Sequence, residues 1–439
     1  MKKIHMIKMT VWCCLTVLIG SSCSDWLDVK PKTEEEAEEM FSTQEGFKAA
    51  LAGAYIALCQ PELYGKELTF GMVGVLGQEW ASNSNTLGTT SSAYSNFVRY
   101  RYGEVTTKPI VEAVWKNMYT TIANVNTLIQ YTEEKKDVLL GDNYEIIRGE
   151  ALALRAFIHF DLFRLYGECD YSDSVKTIPY VLNAKPVITP QSTTKEIVRL
   201  IVQDLDEALT LLESDPVFTG KDVTGVDNGY LVNRDFHLNY YAVQGLKARV
   251  YAYAGLMQEA YNAAKIVIDA QKDQGIFSWV NKNDITTTNA ALRDRTFSTE
   301  QLFALNTTQL IENIKGYFKE TLTPLTKRNV VYETGDYRGV FFETDNGVPE
   351  VFSKFWQMDN QTVSGAIVRP KRNRMPILRV SEMYYIAAEY LKTVDTEEAL
   401  EMLNTVRRQR GLIDDLTDAD PVQIQAEILK EYEREFLGE

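Results

Sequence analysis

The sequence predicts a mainly α-helical protein in which tetratricopeptide-like helix pairs form a curved scaffold carrying long irregular loop insertions. Three observations predict it. Apolar residues recur at helical intervals along six stretches of the chain. The last two of these are helix, short turn, helix units with alanines where two helices must approach closely. The intervening stretches lack periodicity and are rich in Gly, Asn, Ser, Thr and aromatic residues.

With 439 residues, 45% hydrophobic and 24% charged, the chain can bury a large core. Its formal charge of −15 repels a phosphate backbone, and no Lys/Arg-rich run offsets it, so nucleic acid is excluded as a partner. The N-terminus reads as a lipoprotein signal. Lys2, Lys3 and Lys8 precede an apolar run from Met9 to Ile19, and Gly20, Ser21 and Ser22 lead into Cys23. Residues 1–22 are the expected signal peptide and Cys23 the expected lipidation site, the alternative being an unlipidated signal cut near the same small residues. No later segment is apolar enough to span a bilayer, so the expectation is a chain anchored to a membrane without crossing it. Cys59 and Cys169 then remain, more simply buried thiols than a disulfide framework.

A tether of about residues 23–40 leads into the first helix, where Ser42 and Glu45 have capping-box spacing. Phe47, Leu51, Ala54, Tyr55 and Leu58 follow at helical intervals, and Pro61 requires a stop. Met118, Ile122, Val125 and Ile129 form a second stripe. Leu154, Phe157, Ile158, Leu162 and Leu165 form a third, ended by Gly167. Thr193 and Glu196 cap a fourth, in which Val198, Ile201, Leu205 and Leu209 share a face. One helix pair runs from Leu246 through Gly255 to Ile268, and the other from Met383 to Val406. Such pairs bury their apolar faces by stacking on neighbours. Residues 77–109, 167–191, 214–234 and 273–376 are the expected insertions, and loops on a rigid scaffold are where ligand contacts sit.

Several of these stretches resemble the SusD/RagB family, and together they cover nearly the whole of residues 23–439, which reads as one α-helical domain. The anchored start reads C-S-D-W-L-D-V-K-P from Cys23, and residues 148–167 read R-G-E-A-L-A-L-R-A-F-I-H-F-D-L-F-R-L-Y-G. G-L-K-A-R-V-Y-A-Y-A-G from Gly245 and L-R-V-S-E-M-Y-Y-I-A-A-E from Leu378 fit its later helix pairs. Asn404, Arg407, Arg410 and Gly411 match its N-x-x-R-x-x-R-G. The resemblance implies a tetratricopeptide-like fold, a place outside the outer membrane, a SusC-type TonB-dependent transporter as partner, and binding without catalysis. Two departures stand out. Residues 167–171 read G-E-C-D-Y where the family usually has an early proline, and residues 434–439 stop inside a motif the family continues, so the C-terminal part is expected to be short or missing.

No H-E-x-x-H, G-x-S-x-G, G-x-x-x-x-G-K or C-x-x-C occurs, and after the signal only His159 and His237 remain. No cofactor or metal site is expected. A glycosidase needs only two placed carboxylates, a pair that spacing in sequence does not reveal. Arg155, Asp161 and Arg164, with Glu382 and Glu389, read as salt bridges between stacked helices. Asp204, Asp206 and Glu207 read as a solvated face, His159 as a packed or hydrogen-bonded histidine, and Trp115 as core.

A sugar site needs an aromatic platform and planar polar groups. Trp80, Asn83, Asn85, Tyr94, Asn96, Tyr100 and Tyr102 supply both within residues 77–109, with Trp80 as first choice, the alternative being that the tyrosines pack the loop down. Trp279, Tyr317, Tyr332, Tyr337 and Trp356 are further candidates, with Arg338 as a polar partner. Trp356 lies in an alternating V-F-S-K-F-W that reads as a short strand and as packed. The expected function is capture of an oligomeric nutrient, an oligosaccharide first. Oligopeptide binding of the RagB kind and a surface glycosidase or structural component are the other readings.

Overall fold

A computed structural model describes residues 32–80, 93–168, 171–223, 230–289, 292–314, 332–345, 348–357, 361–363, 366–368 and 371–439. The expected signal, Cys23, Asn83, Asn85, Cys169 and Tyr317 lie outside them. Among the described residues, ten helices of nine or more residues carry the architecture: α1 (Lys32–Met40), α2 (Gln44–Leu58), α3 (Lys108–Glu134), α4 (Asn143–Tyr166), α5 (Thr194–Leu211), α6 (Tyr240–Tyr253), α7 (Met257–Gln274), α8 (Val380–Leu391), α9 (Thr396–Gln409) and α10 (Pro421–Glu435). The fold is therefore mainly α. No helix among the described residues is long and apolar enough to cross a membrane.

Helix α4 is the axis. From Gly149 to Phe163 every residue is buried, which is the pattern of a helix enclosed on all sides. It lies between α3 and α5, and Arg155 finds its partners there, while Glu150 is met by Tyr55, Arg234 and His237. Arg155 of α4 reaches Asp204 of α5 through two hydrogen bonds of 2.7 Å. Asp204 is thus a buried ion-pair partner and not part of a solvated face, because the α4–α5 contact encloses it. The two later pairs form as hairpins, α6 and α7 joined by residues 254–256 and α8 and α9 by residues 392–395. Glycine makes one close approach possible. A Cβ at Gly245 would lie 2.9 Å from Leu302 and 3.5 Å from Met383, so a side chain there would push α6 off its neighbours.

The caps follow local chemistry. The Thr193 hydroxyl accepts from the Glu196 amide at 3.2 Å and starts α5. For α2 the cap is Thr43, which accepts from Gly46, while Ser42 turns back to the Glu39 carbonyl. The tether expectation is corrected too: residues 32–40 are helical, as the glutamate-rich run K-T-E-E-E-A-E-E-M favours. Phe41, just beyond, stacks on Tyr131 of α3 with centroids 4.5 Å apart.

The expected insertions contain short strands. β1 (Lys176–Pro179), inside 167–191, pairs antiparallel with β2 (Gln191–Thr193), which begins at the end of that stretch. β3 (Gln301–Asn306), inside 273–376, pairs antiparallel with β8 (Arg374–Arg379), which runs past the end of that stretch, and β4 (Phe342–Asp345), also inside it, pairs with β5 (Val348–Phe352). β6 (Gln361–Val363) pairs with β7 (Ala366–Val368). β3 is core, with Gln301 to Leu305 all buried, so this part of the insertion belongs to the scaffold. Trp356 lies beyond β5, half-buried with the Arg295 guanidinium 5.6 Å from its ring.

Candidate functional site

The exposed aromatic surface lies where residues 71–80 meet residues 93–107. Trp80 is not part of it. Its indole is 1% exposed, and Nε1 donates to the Phe70 carbonyl at 2.8 Å. A Cβ at Gly74 would stand 2.7 Å from that nitrogen, and Gly438 and Phe352 close over the ring. A satisfied N–H with apolar walls makes Trp80 a core residue, which corrects its role as platform.

Asn96 is corrected in the same way. Only 7% exposed, it donates through Nδ2 to Thr106, and its carbonyl accepts the amides of Arg99 and Arg101, both at 3.0 Å. It pins a turn. Tyr94 is half-buried, with its hydroxyl on Glu67 at 2.8 Å and the Lys66 ammonium 5.4 Å from its ring.

That pinned turn presents Tyr100, 50% exposed, and Tyr102, 48% exposed. Tyr100 has φ of 55°, a left-handed conformation that costs a non-glycine residue about 1–2 kcal/mol. Its hydroxyl accepts from the Gln78 amide at 2.7 Å and donates to the Leu76 carbonyl at 3.3 Å. Gln78 itself has φ of 55°. The phenol is thus tied at its tip while the ring stays open to solvent. Tyr102 has no side-chain hydrogen bond among the described residues, and partial burial and then neighbouring Tyr100 push its phenol pKa up. Sequence reasoning passes over Gln78, Arg99 and Arg101, because an unpaired or bridging side chain is recognised only once its neighbours are placed.

The described candidates of the long insertion do not join this surface. Tyr337 is 6% exposed and its ring packs against Gly411, where a Cβ would lie 3.1 Å away, so it is core and not a ligand contact. Arg338 is buried between Asp336, Glu431 and Glu435 in bonds of 2.7 to 2.9 Å, so it is not a free polar partner. Tyr332 donates to the Arg434 carbonyl. Trp279 is half-buried between Tyr384 and the Arg410 guanidinium, 5.5 Å from its ring, and is held as packing there.

A cleft of about 420 Å³ opens between α4, α6, α8 and α10, lined among others by Tyr64, Asp161, Arg164, Arg249, Glu382 and Tyr432. Its charges are already matched. Arg249 holds Glu382 through bonds of 2.7 and 2.6 Å, and Asp161 accepts from Tyr64 and Arg164. The two histidines are structural. His159 donates from Nδ1 to the Arg155 carbonyl and accepts from the Val181 amide, and burial pushes its pKa down to about 3. His237 lies 2.8 Å from Glu150; burial would raise that carboxyl, but Arg234 and then His237 hold it at about 2.

Residues 25–220 match a family model described as starch-binding associating with outer membrane, and residues 214–439 match the model of the SusD family. SusD-like protein P38 of Formosa agariphila is 27% identical over 231 residues, which are 50% of this chain and 41% of that protein. A SusD superfamily structure from Bacteroides thetaiotaomicron superposes with a TM-score of 0.69 at 22% identity, covering 90% of this chain and 87% of the other. A putative sugar binding protein from Bacteroides vulgatus gives 0.66 at 21%, with 90% and 85% covered. A SusD-like carbohydrate binding protein from the same organism gives 0.65 at 18%, with 90% and 82% covered.

Proposed function

The chain belongs to the SusD family, and from that premise we propose that it is a surface lipoprotein, anchored through Cys23, that captures an oligosaccharide. It passes the sugar to a SusC-type TonB-dependent transporter in the outer membrane. The observation that carries the sugar reading is Tyr100, a half-exposed ring tied at its hydroxyl by Gln78 and Leu76. A pyranose offers a C–H face to such a ring and hydroxyls to groups beside it, here Tyr102. A fixed aromatic face loses little freedom on binding, which favours affinity. Relatives named as sugar or carbohydrate binding support sugar over peptide.

The ligand leaves chemically unchanged. The carboxylates of the cleft already hold guanidinium, ammonium or hydroxyl partners, and both histidines are engaged with the scaffold. A glycan array and a peptide library probed with the purified protein test this reading. Binding to glycans, with chromatography recovering them intact, is the expected result; binding to peptides alone, or cleavage of a bound sugar, overturns it.

A further inference from the structure

Arg99 and Arg101 flank Tyr100, and Tyr102 follows, so the exposed turn reads Arg-Tyr-Arg-Tyr. Both arginines are exposed, and among the described residues neither guanidinium has an ion-pair or hydrogen-bond partner. Residues 81–92, the neighbouring stretch of sequence, contain no Asp or Glu. In a chain of formal charge −15 this is unexpected, because acids outnumber bases, at 61 against 46, and other arginines such as Arg164, Arg249 and Arg379 are paired. Lys108, the next base in sequence, already faces Glu112 at 3.6 Å.

We propose that the turn from Arg99 to Tyr102 selects an anionic oligosaccharide, a pyranose chain bearing carboxylate or sulfate groups. Tyr100 is the stacking face, and Arg99 and Arg101 receive the anions. This rests on the reading of the protein as a glycan binder and names the class of glycan. Guanidinium groups suit the task because their planar donors match the two oxygens of a carboxylate or the oxygens of a sulfate ester. Their fixed positive charge also needs no protonation event. The overall negative charge does not forbid such a ligand. Exposed charges more than about 8 Å apart are largely screened at physiological ionic strength, so the distant acids of the chain add little to what the sugar meets at this turn. The backbone is held for the purpose: Asn96 accepts the amides of both arginines, and the Thr107 hydroxyl donates to the Arg101 carbonyl at 2.7 Å.

Titration calorimetry with two matched pairs of probes tests the proposal. One pair is hexagalacturonate and its fully methyl-esterified form; the other is a carrageenan hexasaccharide and its desulfated form. Within at least one pair the anionic member should bind about five- to tenfold more tightly than its neutral partner, as expected for two exposed ion pairs. That preference should shrink as salt rises. The pair that responds identifies carboxylate or sulfate as the recognised group. The double variant Arg99→Gln, Arg101→Gln should lose the preference while keeping its melting temperature. Equal affinity within both pairs, or a preference that survives the double variant, overturns the proposal and leaves neutral-glycan binding standing. Failure of all four probes to bind, with a neutral sugar found on the array, also overturns it, whereas an array empty of glycans removes the sugar reading itself.

Discussion

Arg410 and Glu435 meet through two hydrogen bonds of 2.9 and 2.6 Å, with both side chains fully buried. Arg410 also holds Glu300, and Glu435 also accepts from Arg379 and Arg338, so the end of α10, β8 and the 336–341 turn share one charged cluster. Burial alone would raise the Glu435 pKa, and Arg410 and Arg379 together hold it well below the usual carboxylate range. Arg410→Met should therefore cost about 3–5 kcal/mol, because Glu300 loses both of its guanidinium bonds in the interior, while Glu435 keeps only Arg379 and Arg338. Arg408→Ala, which breaks an exposed pairing with Glu401 and Asp415, should cost under about 1 kcal/mol. Urea denaturation of both variants measures the contrast.

His159 sets a pH dependence. Its folded pKa is depressed to about 3 by burial, against an ordinary value of 6.5, so protons bind more readily to the unfolded chain. The stability it contributes is complete above about pH 6.5 and is lost as pH falls toward 3. At pH 4.5 the loss from this group is about 2–3 kcal/mol. Glu150, held at about 2, has the same sign but acts only below its usual value of 4.5. His159→Gln should flatten the fall between pH 6.5 and 4.5 in chemical denaturation, even if the variant is less stable at pH 7.

Trp80→Ala should destabilise the protein by about 3–5 kcal/mol, since it empties a site walled by Gly74, Phe352 and Gly438 and strands the Phe70 carbonyl. Oligosaccharide affinity in the fraction that remains folded should change little. Thermal melting and calorimetry on one sample check both parts.

Helical periodicity made the scaffold legible because it reports which face is buried: the α2, α3, α5 and hairpin stripes all lie on buried faces. β3 was not legible, since a short apolar run inside a long aperiodic stretch has no period to declare. The site was legible only in part. Composition marks residues 77–109 as rich in aromatics and amides, but Trp80 and Tyr100 differ only in what surrounds them, a glycine and a carbonyl in one case and solvent in the other. Arg338 and Arg99 likewise look alike in sequence, and only the placed partners separate a buried clamp from a free charge.

Cys23→Ala should shift the protein from the membrane fraction to the soluble one in cells lacking the partner transporter. A lipid chain adds about 0.8 kcal/mol per buried methylene, and no described helix can cross a bilayer in its place. Retention of the variant in the membrane fraction would count against the anchor.

Tyr100 separates backbone, ring and hydroxyl through three substitutions. Tyr100→Gly should be more stable than Tyr100→Ala by about 1 kcal/mol, because glycine accepts φ of 55° at no steric cost. Both should weaken binding of the tightest oligosaccharide from the array by about 1–3 kcal/mol, the range for losing a stacked aromatic. Tyr100→Phe should retain most of that affinity, because the hydroxyl is already committed to Gln78 and Leu76 and offers the sugar little. It should lose some stability instead, as the Gln78 amide is left with one bond fewer. Calorimetry and melting on the three variants give the answer, and a Phe variant as weak as the Ala variant would mean that the hydroxyl leaves Leu76 to meet the ligand.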